Sequence, residues 1–205
     1  MKKSILLIMV LLLFCLSACG TKEEEMKPET PEETHEEKEE EMTQEKTEER
    51  ILIAYFSATG TTKGVAEKIA AVTGGDLYEI IPAQPYTDAD LNYNDKDSRS
   101  TKEQNDKSVR PAIGSDPVDM SVYDTVYIGF PIWWGEEPRI LDTFAETYDC
   151  TGKNVIPFCT SGGSGIGRSG PNMEALAGTG NWLDGKRLRA DVSEKDLSSW
   201  IEGLK

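Results

Sequence analysis

The chain has 205 residues, of which 37 are Asp or Glu and 22 are Lys or Arg, so its formal net charge at pH 7 is −15. This charge disfavours nucleic acid and anionic lipid headgroups as electrostatic partners. The single histidine, His35, precedes the globular part of the chain, which excludes histidine-based zinc sites and catalytic triads there. We therefore expect neither nucleic acid nor a metal ion as a ligand.

The N-terminus predicts export. Residues 1–3 are Met-Lys-Lys, and residues 5–16 form an apolar run that is too short to span a bilayer as a stable anchor. The segment Leu16-Ser17-Ala18-Cys19-Gly20 resembles the bacterial lipobox, in which the cysteine is acylated and becomes the mature N-terminus. The resemblance implies a signal peptide over 1–18, a lipid on Cys19 and a membrane-anchored lipoprotein outside the cytoplasm. An ordinary signal peptide or an uncleaved anchor is the alternative.

The segment that follows predicts a linker. Residues 21–50 contain fourteen Glu, four Lys and one Arg, and no aromatic residue. Such a composition cannot bury enough apolar surface to offset the entropy of the chain. We expect the lipidated N-terminus and linker, residues 19–50, to be a disordered spacer, with an acidic partner-binding tail as the alternative. Residues 51–205 are left as one domain with a net charge of −8, which suits a cationic partner.

Within that domain, strand and helix patterns alternate in chain order. Strands are predicted at 51–56, 76–81, 125–130, 153–160 and 187–190. Helices are predicted at 63–72, 88–107, 137–148 and 169–177, with a last helix capped by Ser193. The alternation predicts an α/β fold, a doubly wound parallel sheet with helices on both faces. Five strands fit the order 2-1-3-4-5, whose ligand lies at the carboxyl ends of the strands.

The loop after the first strand predicts a phosphate site. Ser57-Ala58-Thr59-Gly60-Thr61-Thr62 leads from a buried strand directly into a helix, whose first backbone N–H groups are unpaired and carry partial positive charge. Its hydroxyl groups add further donors, and it contains no Lys or Arg. A plain turn with a threonine cap is the alternative. The predicted phosphate ligands are Ser57, Thr59, Gly60, Thr61 and Thr62.

Two further loops lie at the same predicted edge. The loop after the third strand contains Pro131-Ile132-Trp133-Trp134-Gly135, and a planar aromatic ligand would bury the two exposed tryptophans by stacking. The alternative is that one or both of these side chains fill the core. The loop after the fourth strand, residues 160–168, is rich in Ser and Gly, so backbone amides can approach a ligand closely. Residues 165–170 match G-x-G-x-x-G, but they follow the fourth strand, so we do not infer dinucleotide binding.

Together the three loops resemble those of the flavodoxin family. The first resembles the flavodoxin phosphate loop, Trp134-Gly135-Glu136 resembles the segment that lines the isoalloxazine, and 160–165 is similar to the second flavin-contacting loop. The resemblance implies a flavodoxin-like fold, noncovalently held FMN and one- or two-electron transfer. It also implies a peptide flip at Gly135 on reduction. The implied ring contacts are Pro131, Trp133, Trp134 and Gly135 on one side, and Thr160, Ser161, Gly162 and Gly163 at the pyrimidine end.

One departure from the family pattern leaves the function open. Many carrier flavodoxins place a tyrosine in the third loop, and this loop has none, so one flavin face would be open or covered by Tyr86. We expect a membrane-tethered, FMN-binding electron-transfer protein whose partners are redox proteins or quinones. The alternatives are an FMN-dependent NAD(P)H:quinone or flavin oxidoreductase and a binding module without flavin.

Overall fold

The computed structural model describes residues 49–204, in which strands and helices alternate. The predicted signal peptide, Cys19 and almost all of the predicted linker lie outside the described residues. None of the described helices is long and apolar enough to cross a membrane. The elements are β1 Ile51–Tyr55, α1 Thr61–Thr73, β2 Asp76–Glu79, α2 Arg99–Asn105, β3 Thr125–Pro131, α3 Arg139–Thr147, β4 Asn154–Thr160, α4 Ser169–Ala177, β5 Asn181–Trp182, β6 Lys186–Arg187 and α5 Glu194–Glu202.

All of the strands pair in parallel, in the order β2-β1-β3-β4-β5, and β6 also pairs with β4. The predicted order 2-1-3-4-5 is therefore confirmed, with β5 and β6 sharing the fifth position. Alternate residues of β1 face opposite sides of the sheet, as the period of a strand requires. Leu52 and Ala54 pack on one face with Ile140 and Phe144 of α3. On the other face, Ile53 joins the cluster that includes α1 and α5.

The fifth strand departs from the prediction. We predicted a strand at 187–190, but the chain pairs with β4 in two short segments, at Asn181–Trp182 and Lys186–Arg187. The prediction was thus wrong about where this strand begins and about its continuity. The two segments nevertheless occupy the edge of the sheet, as predicted.

The break in this strand lies beside Pro157 of β4. The Leu183 amide donates to the Val155 carbonyl at 2.9 Å, and the Leu188 amide donates to the Cys159 carbonyl at 2.8 Å. These acceptors lie two residues before and two residues after Pro157. Pro157 therefore faces the fifth strand, and it has no N–H group to continue the ladder. Gly185 fits this gap, since a Cβ there would lie 2.8 Å from the Pro157 carbonyl oxygen.

The predicted helix at 88–107 is also shorter than expected. Only Arg99–Asn105 is helical, and the Ser98 side chain accepts a hydrogen bond from the Thr101 amide at its start. Upstream, acidic side chains bind nearby backbone amides instead, as in the 2.9 Å bond from the Thr87 amide to Asp90 and the 2.8 Å bond from the Asp97 amide to Asp95. Such local bonds compete with helix formation, which explains the loop.

Candidate functional site

The loop between β1 and α1 presents an open helix start. Gly60 precedes α1 with φ of 85°, and no side chain among the described residues caps the first amides of the helix. A Cβ on Gly60 would meet nothing within 4 Å, so glycine is needed here for its backbone conformation and not for space. The first N–H groups of α1 therefore remain available to a ligand anion.

A buried serine hydroxyl in this loop has no partner. The Ser57 Oγ atom is buried and forms no hydrogen bond with any described residue. Leaving such a group unsatisfied costs about 1–3 kcal/mol, and a ligand oxygen beside it would remove that cost. Thr59 and Thr61 are exposed, whereas Thr62 is buried. The residues of this loop therefore fit a ligand with a phosphate group.

The first and third loops are joined by two threonines. The Thr62 and Thr160 hydroxyl groups lie 2.8 Å apart and share a hydrogen bond. Thr160 also accepts a hydrogen bond at its carbonyl from the Ile132 amide of the second loop, at 2.9 Å. These contacts bring together three segments that are far apart in sequence.

The second loop makes a strained turn. The amides and carbonyls of Trp133 and Glu136 exchange hydrogen bonds of 3.0 and 3.1 Å. Between them, Trp134 has φ of 49° and Gly135 has φ of 84°, as the two central residues of a type I′ turn require. The left-handed conformation costs a tryptophan about 1–2 kcal/mol, and the side chain is still 46% exposed. Strain of this kind clusters at functional sites.

The neighbouring Trp133 side chain, unlike that of Trp134, packs against other aromatic rings. Its ring packs edge-on against Phe56, at 5.5 Å between centroids, and against Tyr86, at 5.3 Å. The Tyr86 hydroxyl donates to Glu103 at 2.5 Å, and burial together with this bond raises the pKa of Tyr86. Tyr86 therefore lies behind Trp133 and supports it. It does not line the groove described next.

The three loops enclose a cavity of about 370 Å³ at the carboxyl ends of the strands, which we call the three-loop groove. Eight of the predicted site residues line it, whereas Ser57, Gly60, Tyr86, Trp134, Gly135 and Gly163 do not. Its lining residues are Ala58, Thr59, Thr61, Thr62, Pro131, Ile132, Trp133, Thr160, Ser161, Gly162, Leu188 and Ala190.

Leu188 and Ala190 were not among the predicted site residues. They follow β6, so the position of the fifth strand at the edge of the sheet was the signal that could have identified them. In the third loop, the Ser161 hydroxyl donates to the Ser164 carbonyl. Gly167 has φ of 58°, and a Cβ there would lie 3.2 Å from the Gly135 carbonyl oxygen, so the second and third loops also approach each other.

A larger cavity, of about 700 Å³, lies at the opposite end of the sheet. Ile51, Thr125 and Asn154, the first residues of β1, β3 and β4, help to line it. It shares no residue with the three-loop groove. Ligands of open α/β sheets bind at the carboxyl ends of the strands, so the smaller groove is the better candidate.

Helix α2 anchors the second loop through Gln104. The Gln104 side-chain amide donates to the carbonyls of Trp133 and Glu137, both at 3.1 Å. These carbonyls flank the strained turn, so one side chain holds both of its ends. Sequence reasoning did not identify Gln104, because nothing in the sequence indicates that 99–105 packs against 133–137.

A buried ionic cluster next to Gln104 anchors the same loop, and its Arg139 guanidinium donates to the Gln104 carbonyl at 3.3 Å. The Arg139 guanidinium is 2.7 Å from the Glu136 carboxylate, 3.2 Å from Asp142 and 3.8 Å from Glu137. Only 3% of the Arg139 side chain is exposed. Burial, followed by the charge of Glu137, raises the pKa of Asp142 to about 6. The cluster therefore fixes Glu136, the residue next to Gly135.

The raised pKa of Asp142 predicts a pH-dependent stability. The folded protein binds the Asp142 proton more tightly than the unfolded chain, in which the pKa of this carboxyl is near 3.8. The contribution of the bound proton to the free energy of unfolding is therefore complete below pH 4 and is lost as the pH rises through about 6. The total effect is at most about 3 kcal/mol. The free energy of unfolding of Asp142→Asn, measured in urea, should therefore improve relative to wild type between pH 4 and pH 7.

Asp149→Asn is the matched control. Hydrogen bonds from Thr151 lower the pKa of the exposed Asp149 carboxyl, so its contribution to stability changes only below about pH 4 and the difference between Asp149→Asn and wild type should stay nearly constant from pH 4 to pH 7. A difference between Asp142→Asn and wild type that stays constant across this pH range would contradict the assignment.

The fold and the three-loop groove define an open α/β protein with a candidate ligand site at the carboxyl edge of its sheet. The sequence model of the family described as Flavodoxin matches residues 50–204. The chain therefore belongs to the flavodoxin family.

Several solved structures are similar to this chain. It is 50% identical to a protein assigned as a flavoprotein from Bacteroides eggerthii, over 76% of this chain and 97% of that one, with a TM-score of 0.72. It is 45% identical to a Bacteroides uniformis protein also assigned as a flavoprotein, over 75% of this chain and 98% of that one, with a TM-score of 0.71. A Lactobacillus acidophilus flavoprotein in complex with FMN is 26% identical over 76% of this chain and 98% of that one, with a TM-score of 0.58. No curated protein matches the chain significantly.

Proposed function

We propose that this chain is an FMN-binding electron-transfer protein, tethered to a membrane through a lipid on Cys19. The observation that carries the FMN proposal is the three-loop groove, which extends from the open start of α1 to Trp133. The unpartnered Ser57 hydroxyl belongs to the same loop as Ala58 and Thr59, which line the groove. Membership of the flavodoxin family and the FMN complex of the Lactobacillus acidophilus relative support FMN as the cofactor.

The residues of the groove divide the binding of FMN between them. The hydroxyls of the first loop and the amides at the start of α1 would hold the phosphate without a cationic side chain. Pro131 and Trp133 of the groove, together with the neighbouring Trp134 outside it, would contact the ring, and the backbone of Ser161 and Gly162 would donate to its polar edge. When bound, FMN supplies the one- or two-electron chemistry. The protein orients the ring and restricts water around it.

Ser57→Ala tests the phosphate assignment. We expect the affinity for FMN, measured by quenching of flavin fluorescence, to fall roughly tenfold or more, because a hydrogen bond to a charged group is lost. The stability of the protein without FMN should stay the same or rise, because the hydroxyl has no partner among the described residues.

The exposed Ser199→Ala is the matched control and should change neither quantity. Wild-type protein that remains colourless and does not quench added FMN would overturn the proposed function. Equal affinities of wild type and Ser57→Ala would contradict only the role of Ser57.

The alternative function is an FMN-dependent oxidoreductase that turns over NAD(P)H with a quinone. It is favoured by the third loop, where Gly162–Gly165 are exposed and carry no aromatic side chain to cover the ring. Steady-state oxidation of NAD(P)H in the presence of a quinone distinguishes the two functions, because a carrier sustains almost none.

The membrane tether is supported by the sequence Leu16-Ser17-Ala18-Cys19-Gly20. We expect the full-length chain, expressed in a bacterium, to be recovered from membranes with acyl groups on Cys19. Cys19→Ala should lack this mass increase and leave the membrane fraction after export. Cys15→Ala is the control and should still be acylated. An unmodified Cys19 in mass spectra of the membrane-extracted protein would refute the proposal.

A further inference from the structure

A second depression adjoins the three-loop groove. Its volume is about 310 Å³, and we call it the Tyr93 pocket. It is lined by Leu91, Tyr93, Ser100, Ile132, Trp133 and Trp134. Ile132 and Trp133 line the three-loop groove as well, so the two cavities share a wall. A ligand in the Tyr93 pocket would therefore lie next to bound FMN.

The Tyr93 pocket contains an unpartnered hydroxyl group. Ser100 is 1% exposed, and its Oγ atom forms no hydrogen bond with any described residue. Ser98, two residues earlier, shows the contrast, because its buried hydroxyl is paired with that of Thr101 at 2.8 Å. The unpaired Ser100 hydroxyl is thus a donor without an acceptor, and a carbonyl oxygen of a ligand would satisfy it.

The walls of the pocket are large aromatic side chains that face solvent. Tyr93 is 74% exposed and Trp134 is 46% exposed. The type I′ turn holds Trp134 in this position in spite of its unfavourable φ of 49°. A flat ring between these side chains would cover apolar surface and gain stacking energy. The shape and chemistry of the pocket thus favour a planar aromatic or quinonoid ligand.

Charge selects among such ligands. Within the described residues, no Lys, Arg, Asp or Glu lines the pocket. The loop that carries Leu91 and Tyr93 also contains Asp88, Asp90, Asp95 and Asp97, against one cation, Lys96, so its charge is net negative. This surrounding negative charge disfavours the pyrophosphate of a nicotinamide dinucleotide. An uncharged ring with carbonyl oxygens meets all of these conditions.

We propose that the Tyr93 pocket binds an uncharged quinone, with a ring carbonyl accepting a hydrogen bond from Ser100 and the ring packed against Tyr93 and Trp134. The inference deepens the proposed function, since it assigns a place to one of the two expected classes of redox partner. Binding of the quinone can nevertheless be measured without any electron transfer.

Calorimetric titration with tetramethyl-1,4-benzoquinone tests the proposal. This probe has no free ring position for addition of thiols, and it is added to protein loaded with oxidised FMN. We expect Ser100→Ala to weaken binding about five- to tenfold through the lost hydrogen bond. Tyr93→Ala should weaken it by a similar factor. Because Tyr93 is largely exposed, this second variant remains informative if Ser100→Ala does not fold.

The controls separate this pocket from the FMN groove. Ser199→Ala should bind the quinone like wild type, and Ser100→Ala should retain the FMN affinity of wild type. An anionic probe, anthraquinone-2-sulfonate, should bind more weakly than the uncharged probe.

Three results would overturn the inference. They are quinone binding unaffected by both pocket variants, displacement of FMN by the quinone, and tighter binding of NADPH than of the quinone at this pocket. Failure of the proposed function would give a different result. Protein that takes up no FMN but still binds the quinone through Ser100 would refute the proposed FMN function and support the quinone pocket.

Discussion

Gly129→Ala is expected to destabilise the protein by about 3 kcal/mol or more, because the new methyl group has no space. A Cβ on Gly129 would lie 2.2 Å from the Phe158 Cζ atom and 2.7–2.8 Å from two further atoms of that ring. Phe158 is fully buried and pairs with Gly129 in the central β3–β4 ladder, so neither residue can move away easily. Urea unfolding, followed by circular dichroism, measures the effect.

Gly64→Ala provides the control for this prediction. Gly64 lies within α1, where a Cβ would meet nothing within 4 Å, so the substitution should be neutral or stabilising. In the Gly129→Ala background, Phe158→Leu should recover part of the lost stability by making room. If the loss of unfolding free energy in the double variant equals the sum of the losses in Gly129→Ala and Phe158→Leu alone, steric conflict with Phe158 is not the cause.

Arg139→Met is expected to cost about 3–5 kcal/mol at neutral pH, because it removes the nearest counter-ion of two buried carboxylates and leaves, among the described residues, only Arg110, 3.8 Å from Asp142. The Glu137 and Asp142 side chains are only 1% and 4% exposed, and both lie within 4 Å of the guanidinium. Arg189→Met is the matched control. Its ion pair with Asp191 lies at the exposed surface, where such pairs contribute about 0–1 kcal/mol.

The pH dependence of this loss checks its cause. Arg139 lowers the pKa of Asp142, so removing the guanidinium should raise that pKa further above its present value of about 6. The penalty should therefore shrink at pH 5, where Asp142 takes up a proton. An equal penalty at pH 5 and pH 8 would show that lost packing, and not the uncompensated charge, is responsible.

Arg139→Met should also weaken the binding of FMN. The 2.7 Å contact between Arg139 and Glu136 holds the residue that closes the turn at Trp134 and Gly135. With this contact removed, the turn would depend on the Gln104 bonds to the Trp133 and Glu137 carbonyls. The effect on FMN therefore links a buried ionic cluster to the position of the ring-binding loop.

Local sequence patterns were sufficient to predict the strand order and the first four strands of the sheet. Continuous apolar runs indicated the strands that are buried on both faces, and their alternation with helices indicated parallel pairing. The composition of the loops and the carboxyl-edge rule placed the ligand loops after β1, β3 and β4, and the structure brings all three together in one groove. The assignments of single residues to FMN, the lipid on Cys19 and the redox partners stay predictions.

Other features depended on neighbours that are distant in sequence. The fifth strand is broken beside Pro157 of another strand, and a pattern within 181–190 contains no information about that contact. The predicted helix at 88–107 was too long because apolar spacing did not account for local side-chain bonds in the Asp-rich loop. Tyr86 packs edge-on against Trp133, a contact that the sequence did not indicate, and its suggested role as a cover for the flavin stays a prediction.

The sequence by itself determined the class of fold and the positions of the first loop and the tryptophan loop in it, because these follow from short-range composition and periodicity. Only the tertiary structure decided how that loop is held and what lies beside it. Gln104 and Ser100 obtain their roles from contacts or cavities formed with residues roughly thirty positions away along the chain, whereas Arg139 pairs with carboxylates near it in sequence that are buried with it. Hydrogen bonds, ion pairs and cavities of this kind exist only once the helices have packed on the sheet.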